Sequence, residues 1–197
     1  MRGDIDESKP SCQLTRVSPR HITCIINVWC YTVHSVNILN LIDPELLDAE
    51  PEDPRYVNSP FRNLKQLHAK QKGKRYEKIT ECVVRKLGHI VSKPTNTDHD
   101  RVVDGQKVEI KGSTLNKNTD HFSFLQIRPD QDYDKIYFTM CYPDELVIME
   151  MTKQKVLENI QLGIFKKQHG GNKADSGTYL YYGNRESLVN IGATFVQ

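Results

Sequence analysis

At 197 residues with 38% hydrophobic content, the chain has the size of one ordinary domain with a real core, and it carries no internal repeat. Five scattered cysteines without a CxxC pair exclude a disulfide framework and read as reduced thiols of an intracellular protein. The net charge of +2 hides an asymmetry: residues 1–60 hold five Lys/Arg against nine Asp/Glu, and residues 61–197 hold 22 against 16, a basic excess that suits a body meeting a polyanion.

Met1–Glu7 is mostly acidic and lacks the basic-then-apolar layout of a leader. Residues 21–42 carry no formal charge, but His21, Asn27, His34, Asn37 and Asn40 interrupt them, which disfavours a membrane span. The same stretch places His21, Cys24, Cys30 and His34 in a superficially zinc-like order. The spacing fits no common finger and the neighbours Ile25, Ile26, Val28 and Trp29 read as core, so zinc is not expected. Pro44, Pro51, Pro54 and Pro60 then mark an acidic loop. A boundary near residue 58 divides an N-terminal extension or arm (1–58) from the main domain (59–197).

From Arg62 to Leu87, Tyr76, Ile79, Val83 and Leu87 return at helical steps, with a bend expected near Gly73 and a stop at Gly88. Ile90-Val91 begins a strand. Arg101–Val103 and Lys107–Lys111 are expected to pair as a hairpin through Asp104-Gly105, a dipeptide suited to a tight turn. In His121–Arg128, alternation puts Phe122, Phe124 and Gln126 on one face and Ser123, Leu125 and Ile127 on the other. Lys135–Cys141 and Leu146–Met151 read as buried strands, Thr152–Ile160 as a helix capped by Thr152, and Thr178–Tyr182 as a last strand after a Gly- and Lys-rich loop. The sum is an α/β chain with a mixed sheet.

Chemistry concentrates in the hairpin. Period-two alternation puts Glu109 and Lys111 on one face while Ile110 points to a core. Hydrolysis of a phosphodiester needs a cation at the phosphate, an oriented water and stabilisation of the leaving charge. Asp100, Glu109 and the Ile110 carbonyl supply hard oxygen ligands suited to Mg²⁺, and Lys111 stands where it would orient a water or stabilise developing charge. A solvated Glu-x-Lys ion pair at a strand edge is the competing explanation. Asp100 is preferred over Asp98 and Asp104 because it begins the first hairpin strand; Asp104 suits the turn. In the loop 166–173, Lys167 and Lys173 suit phosphate, Gln168 and Asn172 suit an adenine edge, and His169 lies between them, a DNA-binding element or else a plain surface loop.

Asp100, Glu109-Ile-Lys111 and the preceding helix with Tyr76-Glu77 and Leu87-Gly88 resemble the PD-(D/E)xK nuclease superfamily over residues 61–151. The run Phe124–Phe138 is most like its type II restriction endonucleases. Where that motif has proline before the first aspartate, this chain has His99. The resemblance implies a restriction-endonuclease-like core, a mixed β-sheet flanked by helices. It also implies a Mg²⁺-dependent endonuclease acting on double-stranded DNA at a short sequence, as a cytoplasmic homodimer. A helix glutamate joins the metal site in such relatives, which makes Glu77 a candidate beside a simple surface ion pair. Gln126 would approach the site from the next strand, contact DNA backbone, or be a buried structural glutamine. The alternatives are a structure- or mismatch-directed repair nuclease of the same fold and a non-catalytic DNA-binding module.

Overall fold

The hairpin sits at the centre of a six-stranded sheet whose strands come from distant parts of the chain. The computed structural model describes residues 53–64, 66–168 and 177–197, all within the one compact unit Ser35–Gln197. The uncharged stretch 21–42, the zinc-like layout within it, and His169, Asn172 and Lys173 lie outside the described residues.

In chain order the strands of the large sheet are β1 (Val91–Ser92), β2 (Arg101–Val103), β3 (Gln106–Thr114), β5 (Lys135–Cys141), β6 (Leu146–Thr152) and β9 (Thr194–Phe195). They lie side by side in that order. Every pairing is antiparallel except β3 with β5, which is parallel from Val108 opposite Lys135 to Thr114 opposite Cys141. A parallel pair needs a crossover, and here the crossover carries β4 (Phe122–Ile127) out of the sheet. There β4 pairs with β8 (Tyr179–Gly183), which also pairs with β7 (Lys166–Lys167), making a second, three-stranded sheet.

Helix α1 (Ala69–Lys86) covers one face of the large sheet. It buries Tyr76, Ile79, Thr80, Val83 and Val84, and the Thr80 hydroxyl meets that of Thr139 on β5 at 2.6 Å. The helix ends at Gly88 (φ 101°), with His89 N–H bonded to Val84 and Gly88 N–H to Arg85, the left-handed exit that glycine permits. The expected start at Arg62 and bend at Gly73 are not seen: residues 61–64 form turns and the helix runs through Gly73. Glycine in a helix costs about 1 kcal/mol, which the buried stripe below it outweighs.

The opposite face is covered by the small sheet and by α2 (Lys153–Gln161), capped by the Thr152 hydroxyl. Phe138 on β5 packs edge-on against Phe124 at 4.9 Å and close to Phe165 and Tyr181. On β4 the regular alternation breaks. Gln126 has φ 55°, the register with β8 shifts between Phe124 and Ile127, and Ile127 is buried with Phe122 and Phe124 while Gln126 is exposed. The bulge inserts one residue and so moves Ile127 to the inner face, reversing the expected facing of Gln126 and Ile127.

Two late elements complete the body. Helix α3 (Arg185–Asn190) begins with an Asn184/Ser187 capping box and leads into β9; neither was anticipated. Near the other end Tyr56, fully buried, donates to the Cys141 carbonyl at 2.7 Å and accepts from Leu115 N–H at 2.9 Å. It thereby ties the segment around residue 56 to the ends of β3 and β5. The fold is a mixed α/β sheet flanked by helices.

Candidate active site

Asp104 (φ 49°) and Gly105 (φ 82°) both adopt left-handed backbone, so the β2–β3 turn matches the right-handed twist of the strands it joins. Asp104 is held there by Ile90 N–H, which donates to its carboxylate at 2.8 Å, and by His89 at 2.6 Å. With the turn fixed, Asp100 stands beside the middle of β3. Its N–H donates to the Val108 carbonyl at 3.0 Å, and its Oδ2 accepts from Ile110 N–H at 2.7 Å.

Two residues along β3, Lys111 Nζ lies 2.7 Å from Glu109 Oε1. Glu109 is only 6% exposed and the Lys111 side chain 14%, so this is a buried pair and not a solvated edge pair. The Asp100 carboxylate is close enough to Glu109 to raise its pKa. Burial, opposed by the Lys111 ammonium and reinforced by the Asp100 charge, pushes Glu109 up to about 7. Asp100, Glu109, Ile110 and Lys111 therefore form one cluster of four consecutive or facing positions.

Glu77 on α1 is held at Arg101, near enough to Asp100 to feel its charge. Its carboxylate lies 3.3 Å from Arg101 Nη1, while Arg101 Nε donates to Glu81 at 2.7 Å. Burial first, then the neighbouring Asp100 charge, raises the Glu77 pKa, with Arg101 opposing. Arg101 also donates to the Asp100 carbonyl. Sequence reading passed over Arg101, although it is the guanidinium that fastens the acidic helix face to the hairpin. Its place beside Asp100 in the chain was the only clue.

Gln126 and Gln168 meet each other instead: Gln126 N–H donates to Gln168 Oε1 at 2.7 Å across the bulge. No hydrogen bond or ion pair joins Gln126 to Asp100, Glu109 or Lys111 among the described residues. Lys167 is exposed on β7, paired in register with Tyr179.

Among the described residues no group of three or more His, Cys, Asp or Glu side chains is gathered as a metal cage. The donor set at the cluster is two adjoining carboxylates and a peptide carbonyl, all hard oxygens. That set fits magnesium, which keeps several waters and takes only one or two carboxylates from the protein. It does not fit a softer ion, which would want imidazole or thiolate. Among the described residues no helix is long and apolar enough to cross a membrane, and the buried Cys141 is a free thiol.

No protein-family model and no curated protein matches the chain. Among solved structures, a bacterial homing endonuclease, I-Ssp6803I, is similar over 59% of this chain and 75% of its own length, at 17% identity and a TM-score of 0.39.

Proposed function

We propose that this chain is a metal-dependent endodeoxyribonuclease of the PD-(D/E)xK kind that cuts double-stranded DNA at a short sequence, as restriction enzymes do. One observation carries the reading: Asp100, reaching across the hairpin to Ile110 N–H, meets a buried Glu109 that is ion-paired to Lys111. Such a grouping has a structural cost, since burying carboxylates beside each other raises their energy, and it is the arrangement that an oxygen-seeking cation relieves.

Asp100, Glu109 and the Ile110 carbonyl would hold Mg²⁺. When bound, the cation supplies charge neutralisation at the scissile phosphate. Lys111 donates from Nζ to the attacking water, holding it in line with the phosphorus–oxygen bond that breaks, and steadies negative charge on the phosphate as it builds. Glu77, beside Asp100 and clasped by Arg101, adds negative charge at the rim and favours cation capture. Lys167 on β7 and Gln168, with His169, Asn172 and Lys173 after them in the sequence, would contact DNA in this reading. Two copies, one per strand, would act on a palindromic site inside the cell.

The test is incubation of the purified protein with plasmid and phage DNA in Mg²⁺. Discrete fragments with sedimentation as a dimer are expected. Intact DNA at all metal concentrations would sink the reading, and nicking confined to mismatches or junctions would replace sequence specificity with structure specificity.

A further inference from the structure

The loop entering β5 holds a tyrosine that no structural bond explains. Tyr133 is 2% exposed, yet its hydroxyl is a buried polar atom with no hydrogen-bond partner among the described residues. Gln131 Oε1, two residues earlier in the same loop, is likewise buried and unpartnered. Buried polar atoms are almost always satisfied, so two in one loop point to a partner such as a bound water.

The loop is not slack. Asp134 N–H donates to the Lys107 carbonyl at 2.8 Å, and its carboxylate accepts from Lys107 N–H at 2.8 Å. Lys153 N–H donates to the Asp134 carbonyl at 2.9 Å, and Lys153 Nζ sits 5.0 Å from the centre of the Tyr133 ring while donating to the Gln131 carbonyl. Tyr133 is therefore clamped one residue from Asp134, which grips β3 only two residues before Glu109. The Glu109 carboxylate, with Asp130, is close enough to raise the tyrosine's pKa, burial being the larger cause.

Other candidates are weaker. Asn63 is likewise buried with both amide atoms unpartnered among the described residues, and His99 has one unpartnered nitrogen but spends the other on Thr95.

We propose that Tyr133 is a positioning residue of the Asp100–Glu109 site: its hydroxyl, which bonds no described protein atom, holds the Glu109 carboxyl through one water in the orientation that captures a divalent cation. This rests on the nuclease reading above. A tyrosine donor serves the role because it supplies one O–H without adding charge, leaving the two carboxylates to set the site's affinity. Partners behind metal ligands commonly change affinity or activity by about 10- to 100-fold when lost.

The experiment compares wild type with Tyr133→Phe, which keeps the ring and the Lys153 contact. Three readouts are taken: Mn²⁺ binding by calorimetry without DNA, melting temperature without metal, and cleavage kinetics in Mg²⁺. The expected result is Mn²⁺ affinity down about 10-fold and kcat lowered with KM for DNA unchanged, at a metal-free melting temperature unchanged or raised. A variant that binds Mn²⁺ and cuts like wild type overturns the proposal while leaving the nuclease reading intact. A metal-free melting temperature that falls with Mn²⁺ binding unchanged also overturns it, by making the hydroxyl structural. Wild-type protein that neither binds Mn²⁺ nor cuts overturns both.

Discussion

Glu109 carries the largest electrostatic burden of any residue in the site. Its folded pKa, about 7, lies above the ordinary glutamate value of 4.5 because burial outweighs the help from Lys111. The folded state therefore holds this proton more tightly than the unfolded chain does. Its stabilising effect is complete below about pH 4.5 and is lost as pH rises through 7. Each pH unit corresponds to ~1.4 kcal/mol, so the rise from 4.5 to about 7 is worth on the order of 3 kcal/mol across that window. Glu109→Gln mimics the protonated form, and urea midpoints should show wild type losing more stability than the variant between pH 5 and pH 8. Equal losses would mean that the carboxylate is solvated. Lys111→Ala should reduce cleavage by roughly 100-fold or more while leaving DNA binding in Ca²⁺ nearly unchanged, as read by single-turnover kinetics and by gel shift. Full activity in that variant would remove lysine from the mechanism. At this scale the sequence was informative about Asp100, Glu109 and Lys111, since a two-residue period and a tight turn bring them together. Arg101 and Tyr133 were not legible, because their meaning depends on a helix and a loop that arrive from elsewhere.

Among the elements, α1 and β3 are joined by a close approach at Gly112. A Cβ there would overlap the Tyr76 side chain, so the strand can lie this near the helix only because position 112 has none. Gly112→Ala should destabilise the protein by about 1–3 kcal/mol in urea unfolding, the usual cost of overpacking. It should also weaken cation binding, since Tyr76 and Glu77 would be pushed from the hairpin together. A neutral result would show that the helix slides freely over the sheet. The hairpin itself was readable from Asp104-Gly105, and α2 from its Thr152 cap, because both depend on neighbours in sequence. Strand β4 illustrates the opposite case. Its alternation was regular in the sequence, and the bulge at Gln126, made by pairing with β8 more than 50 residues later, changed which side chains face inward. The capping box of Asn184 and Ser187 was written in the sequence, but a six-residue helix offers too few apolar repeats to stand out.

At the level of the molecule, the site is carried by the β2–β3 hairpin, where one cation would tie the two strands, and Arg101, which bonds both the Asp100 carbonyl and Glu77, links it to α1. Ligand that binds only the folded state stabilises it by mass action. Adding Mg²⁺ at pH 8 should raise the melting temperature of wild type and not that of a protein carrying both Asp100→Asn and Glu109→Gln. A rise of equal size in the doubly substituted protein would place the cation elsewhere. The amino-acid sequence by itself determined the α/β class, the tight turn, the helix capped by Thr152 and the pairing of Glu109 with Lys111, all of which follow from local geometry and side-chain period. Only the tertiary structure decided that β4 leaves the main sheet, that Glu77 is drawn to Asp100 through Arg101, and that Gln126 turns outward to Gln168. Those outcomes depend on contacts between segments far apart in the chain, whose free energies are set by packing and burial and have no signature in any short stretch of residues.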